Sequence, residues 1–140
     1  MKKCLTVLLA AAMLSTSLFC VNAADLETPI DEEIIEEYAY TLNVYSEISA
    51  SSNTATCRST VIGKSGVTKI VVSQKLQKKV DGTWTNIKKW TKTVTSVSTT
   101  FTNTKSSLSS GTYRTRTVAK VYKGNDYETV SANSTTVNIS

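Results

Sequence analysis

A chain of 140 residues with 16 lysines and arginines against 11 acids, a net charge of +5, has room for one domain and not two. The absence of histidine removes the usual general base and the commonest metal ligand, and of three cysteines two lie within the first 20 residues, leaving one, which cannot build a thiolate metal site. No glycine-rich loop of the phosphate-cradling kind is present, so nucleotide chemistry has no anchor either.

The chain begins as a leader would. Met1-Lys2-Lys3, an apolar run from Leu5 to Phe19 and the small-residue pattern Val21-Asn22-Ala23 make residues 1–23 a secretory signal peptide, cut after Ala23. Its apolar run is too short to span a bilayer, and nothing later approaches the roughly 18 apolar residues of a spanning helix, so no membrane span is expected. Cys20 invites a lipoprotein reading, which the bulky Phe19 before it opposes. Cys4 and Cys20 leave with the leader, so Cys57 stands alone and the secreted chain must hold together through its core.

Residues 24–38 form an acidic N-terminal tail, with seven carboxylates and no cation between Asp25 and Glu37. Thr28 and Pro29 could start a helix, and Ile30, Ile34 and Tyr38 could share one of its faces, but the segment is too short to be a stable helix by itself. From Tyr38 onward fourteen cations stand against four carboxylates, a balance of +10.

In residues 39–140 the apolar period becomes two, and threonine is abundant, both of which favour strands. After an opening strand near Leu42 to Ile48, ATCRSTVIG aligns Ala55, Cys57, Ser59 and Val61 on one side. TKIVVSQKLQKK sets Ile70, Val72 and Leu76 against Val71, Ser73, Lys75, Gln77 and Lys79. A segment around Trp84 to Trp90 follows, then VSTTFTNT with Val97, Thr99 and Phe101. GTYRTRTVAKVYKG sets Tyr113, Thr115, Thr117, Ala119 and Val121 against Arg114, Arg116, Val118, Lys120 and Tyr122, and the closing STTVNIS aligns Val137 and Ile139. About seven short strands separated by Gly, Ser and Asn clusters predict an all-β, immunoglobulin-like antiparallel β-sandwich.

Leu108-Ser-Ser-Gly-Thr-Tyr113 resembles a tyrosine corner, in which the phenol hydroxyl bonds backbone just upstream. Two residues beyond Tyr113, where an immunoglobulin domain has its second disulfide cysteine, stands Thr115; Cys57 is therefore expected in the core facing Thr115.

The hairpin QKLQKKVDGTWTNIKKW has two registers open to it. A two-residue Asp81-Gly82 turn pairs Val80 with Thr83 and puts Trp84 and Trp90 outside with Lys75, Lys79, Lys88 and Lys92; a three-residue loop with a bulge at Gly82 puts both rings inside. Burying a tryptophan is worth about 2–3 kcal/mol, which favours the inward register and structural roles for Trp84 and Trp90. The outward register would make the two rings a binding platform, about 20 Å apart along the strand.

The domain's carboxylates, Glu47, Asp81, Asp126 and Glu128, form no convincing acid–base pair, so no catalytic residue, cofactor or metal is expected. The better lead is electrostatic. If the Tyr113–Lys123 strand shares a sheet with the hairpin, Lys75, Lys79, Lys89, Arg114, Arg116, Lys120 and Tyr122 share one surface. Such a patch attracts polyanions, which for a secreted bacterial protein are anionic cell-wall polymers or glycans and not nucleic acid. The same charges would also simply keep a threonine-rich sheet soluble and its edges unpaired, or be masked by the acidic tail.

The pattern of LQKK, a hairpin glycine, Trp84, Trp90, then Gly-Thr-Tyr-Arg and Tyr122-Lys-Gly with Glu128 resembles a family of small secreted proteins of clostridial-type gut Firmicutes that share a domain of unknown function. The resemblance covers residues 40–140; it implies an extracellular, immunoglobulin-like sandwich and carries over no catalytic or binding residue. Two functions are compatible with these features: a non-enzymatic binding or surface-association module, and a toxin or bacteriocin-like antagonist of neighbouring cells.

Overall fold

The computed structural model describes residues 38–140, and every regular element in them is a β-strand. The leader expected at 1–23, with Cys4 and Cys20, and the acidic tail up to Glu37 lie outside the described residues. Eight strands are present: β1 (Thr41–Ser51), β2 (Thr54–Gly63), β3 (Lys69–Val80), β4 (Thr83–Val94), β5 (Ser98–Lys105), β6 (Gly111–Lys123), β7 (Asp126–Asn133) and β8 (Val137–Ile139). One antiparallel sheet has the order β1-β2-β5, the other β4-β3-β6-β7, with β8 pairing to β6 beyond the end of β7.

These layers make an immunoglobulin-like β-sandwich. The fourth strand of a constant-type immunoglobulin domain lies in the sheet of the first two; here β4 stays hairpinned to β3, which widens the second sheet instead. Tyr113 closes the expected corner, its hydroxyl donating to the Ser109 carbonyl at 2.7 Å. Gly111, at φ 153°, has a backbone conformation that side chains rarely adopt, and a Cβ there would also displace the end of the Lys78 side chain.

Strand β7 is the element missing from the expected seven. Its register with β6 turns Glu128, Val130 and Ala132 inward, opposite Val121, Ala119 and Thr117. A carboxylate at the first of these positions breaks the apolar alternation that would have marked the strand. Glu128 is not stranded there: the backbone N–H groups of Ala39 and Tyr40 and the Thr41 hydroxyl each donate to it at 2.8 Å, clipping the start of β1 onto β7.

Partial burial alone would raise the Glu128 pKa, but the hydrogen bonds from the Thr41 hydroxyl and the Tyr40 and Ala39 backbone outweigh it, leaving a value below the ordinary one. A depressed folded pKa contributes stability above the unfolded value of about 4.3 and loses it as pH falls through the folded value. Glu128→Gln is expected to cost about 1–2 kcal/mol at neutral pH, low in the range for bonds to charged groups because the site is partly exposed. The loss should shrink in acid, so urea titrations of the two proteins at about pH 7 and at pH 3 to 4 should converge; an equal gap at both ends rules the clip out.

The core is divided. One cluster gathers Val61, Val67, Ile70, Val72, Ala119, Val121 and Val130, the other Ala55, Cys57, Leu76, Leu108, Tyr113 and Ile139. Between them runs a polar seam. Gln74, fully buried, donates to Ser59 Oγ (2.8 Å) and the Phe101 carbonyl (2.9 Å) and accepts from Asn103 (2.9 Å). Thr117 donates to Ser46 (2.9 Å) and Ser46 to the Thr115 carbonyl (3.0 Å), so the 2.6 Å contact between Ser59 and Thr117 must have Ser59 as its donor. The chain of bonds thus runs in one direction across both sheets. Cys57 is fully buried, with its thiol against Thr115. Burial pushes the thiol's pKa up, the Thr115 hydroxyl pulls it partly back, and that hydroxyl has no other partner.

The hairpin follows neither expected register throughout. Asp81 (φ 52°) and Gly82 (φ 80°) form a two-residue turn with both central residues in the left-handed region, and Val80 pairs with Thr83. Pairing then runs to Gln77 with Asn86, slips by one residue, and resumes at Leu76 with Lys88. The bulge lies at Ile87, not at Gly82. It exchanges the faces of β4 midway: Trp84, opposite Lys79, points outward, while Trp90, opposite Gln74, turns inward against the second core cluster. The slip brings Trp90 and Val94 to the core and leaves Ile87 exposed, which is the better apolar burial. The structural role expected for Trp84 as an inward ring is therefore corrected.

Candidate ligand-binding face

Register fixes the outer face of the second sheet row by row. Each row crosses several strands, and successive rows along a strand are about 7 Å apart. Trp84 and Lys79 make the first row; Asn86, Gln77 and Arg114 the next; then Lys89, Lys75, Arg116 and Asn133. A neutral row of Thr91, Ser73, Val118 and Ser131 follows, in which the Ser73 hydroxyl is buried without a partner. Val71 with Lys120, then Lys69 with Tyr122 and Tyr127, complete the face. All seven residues singled out from sequence lie on it: Lys75, Lys79, Lys89, Arg114, Arg116, Lys120 and Tyr122. Five of the six rows carry a cation over a length of about 30 Å.

None of these rows contains a carboxylate. The acids of this sheet and its turns are Asp81, in the β3–β4 turn, Asp126, in the Lys123–Asp126 turn pair, and Glu128, which faces inward. In the third row three cations are cross-strand neighbours, Lys89 beside Lys75 and Lys75 beside Arg116, an arrangement that destabilises a sheet.

Aromatic rings bracket the cations. The Arg114 guanidinium lies 4.2 Å from the Trp84 ring centroid, with Lys79 at 5.9 Å. At the far end Lys69 sits 4.2 Å over Tyr122 and Lys120 5.1 Å over Tyr127, the two rings being tilted with centroids 5.1 Å apart. Arg114 is further tied by Nε, which donates to Gln77 at 2.8 Å, while the Gln77 amide donates to Asn86 at 2.8 Å. Partial burial, and after it the charge of Arg116, lower the Arg114 pKa from its ordinary value.

Gln77, Asn86, Lys69 and Tyr127 were not among the expected residues. Gln77 stood on the outward side of the alternation, and Lys69 continues it by one step; Asn86 and Tyr127 depended on the bulge and on β7, which alternation alone does not mark.

Elsewhere the structure offers less. A shallow cavity of about 270 Å³ lies on the other sheet, lined by Glu47, Ile48, Ser49, Thr56, Arg58 and Thr102. Among the described residues no three His, Cys, Asp or Glu side chains come together to hold a metal, and no helix is long and apolar enough to cross a membrane.

The fold and this face define the chain as an all-β sandwich with one sheet surface whose charged residues are all cations, bracketed by aromatic rings. No protein-family model matches the chain, and no curated protein matches it. Among solved structures the sporulation control protein Spo0M of Bacillus subtilis is similar over 73% of this chain, at 10% identity and a TM-score of 0.36. The chain spans about half of that structure, 49% of its length.

Proposed function

We propose that the protein is a secreted, non-enzymatic binding module that holds an anionic cell-wall polymer or glycan against the outer face of its second sheet. The row Lys89–Lys75–Arg116 carries the reading. Solubility is served as well by mixed charge, which would relieve the repulsion; three adjacent cations without an acid on their face are a cost that a bound anion offsets. The basic start, apolar run and small-residue pattern of residues 1–23 support secretion.

Titration of the full chain with anionic and neutral wall polysaccharides across a salt series tests the proposal. Affinity for the anionic polymers should fall steeply between about 0.01 M and 1 M salt, as the Debye length shrinks from about 30 to about 3 Å. Equal binding to neutral polymers, or no binding to any anionic one, overturns it.

A further inference from the structure

Resting on that reading of the face, we infer that Arg114 and Trp84 form a built subsite for the carboxylate of an acidic sugar. The sequence supplies its parts from three strands: Gln77 from β3, Trp84 and Asn86 from β4, Arg114 from β6. The Trp84 ring, 4.2 Å from the guanidinium carbon, backs the group, and the bond from Nε to Gln77 restrains its rotation. Gln77 is itself only 7% exposed although it stands on the outward face, with its acceptor bonded to Arg114 and one donor bonded to Asn86. An amide buried in this way orients the arginine.

What remains is the outer edge of the guanidinium. Its two terminal amino groups find no acceptor among the described residues, and no acid shares the face. Two parallel N–H groups at that edge match the two oxygens of a carboxylate. Because the plane is already held, little ordering cost attends binding.

The neighbouring ring narrows the ligand further. Trp84 is only half-buried, so apolar indole surface borders the guanidinium. A uronic acid carries a planar anion and an apolar C–H surface on one rigid ring, and so addresses Arg114 and Trp84 together. A phosphodiester chain offers the charge without the flat apolar surface. Lys75 and Arg116, one row on, would meet the next charge of a polymer about 7 Å away.

Calorimetric titration of the full chain with a galacturonic acid hexamer, its methyl-esterified neutral counterpart and an inorganic polyphosphate of similar charge separates the possibilities. The acid hexamer should bind tightest and the ester should not bind. Arg114→Lys, which keeps the charge and loses the paired donors, should weaken the hexamer about ten-fold while leaving polyphosphate within about two-fold. Gln77→Leu, which frees the guanidinium to rotate, should weaken the hexamer in the same selective way; a thermal melt confirms that each variant is folded. If Arg114→Lys binds the hexamer as wild type does, or polyphosphate binds as tightly as the hexamer, the subsite is refuted. Loss of all polyanion binding in the Lys75→Glu variant, with Arg114→Lys unaffected, would refute the subsite and leave the cationic face standing; failure of every polyanion to bind wild type refutes both.

Discussion

Replacing Gln74 by leucine is expected to lower the unfolding free energy by about 2–4 kcal/mol, even though leucine is the more apolar residue and similar in size. The side chain is fully buried and makes three of its four possible bonds: both donors go to Ser59 and the Phe101 carbonyl, and its oxygen accepts from Asn103. Leucine leaves each of those three groups without its partner, and a stranded buried group costs about 1–3 kcal/mol. The transfer gain offsets about 1 kcal/mol of that. For a domain of this size the melting temperature should drop by about 10–20 °C. The seam predicts a second result. Once Ser59→Ala and Thr117→Val are added, one hydroxyl from each sheet is removed with the amide and part of the loss should return, because apolar groups on both sides of a former bond can be nearly neutral. A Gln74→Leu protein as stable as wild type, measured by urea unfolding, would show that the bonds contribute nothing.

That seam marks the limit of what alternation reveals. Strands β2, β3 and β6 were legible because their inward positions are mostly aliphatic or small and their outward positions mostly polar or charged, so period two fixed which side each residue takes. The cationic face followed from the same parity, once β3 and β6 share a sheet. Cys57 opposite Thr115 was legible for a related reason, since the corner at Tyr113 fixed the phase of β6. Gln74 lies at an inward position of β3 yet reads as polar, and only coordinates show the acceptors and donor that make it tolerable there. Glu128 hid β7 in the same manner. The hairpin failed differently: a single inserted residue at Ile87 reverses the face of everything beyond it, and the sequence around a bulge in a lysine-rich edge strand carries no mark of its own. As a result two tryptophans expected on one face divide, Trp90 to the core and Trp84 to the surface beside Arg114.

The division has a consequence for the candidate site. The bulge keeps the first half of β4 in phase with Gln77 and Lys79, so Trp84 and Asn86 share a face with Arg114, while the second half is in phase with the core. One inserted residue therefore serves both the packing of Trp90 and the assembly of the cation–aromatic cluster. The polar seam beneath holds β3 and β6 to the opposite sheet through Gln74 and Thr117, fixing the two strands that carry most of the outward cations.

Lys75→Glu is expected to move stability and binding in opposite directions. Lys75 lies between Lys89 on one side and Arg116 on the other, so the substitution turns two repulsive cross-strand pairs into two attractive ones. At about 0.2–1 kcal/mol for each pair, reduced by solvent exposure, the domain should gain about 0.5–1.5 kcal/mol and melt several degrees higher. The same change puts a negative charge at the centre of the row proposed to meet a polyanion. Affinity for an anionic wall polymer should fall by about thirty- to a hundred-fold at low salt, as expected where a like charge replaces a complementary one. Lys75→Gln, which removes one charge without reversing it, should lie between wild type and Lys75→Glu on both measurements. Thermal melts and polymer titrations of the three proteins therefore form a paired test. A gain in stability with binding unchanged would mean that the row merely tolerates its repulsion and that the ligand lies elsewhere. A loss of binding without any gain in stability would mean that the three cations do not repel one another in the free protein, and the argument from their cost would fall. Only the opposed pair, firmer fold and weaker grip, fits a surface whose charges are kept adjacent because an anion belongs between them.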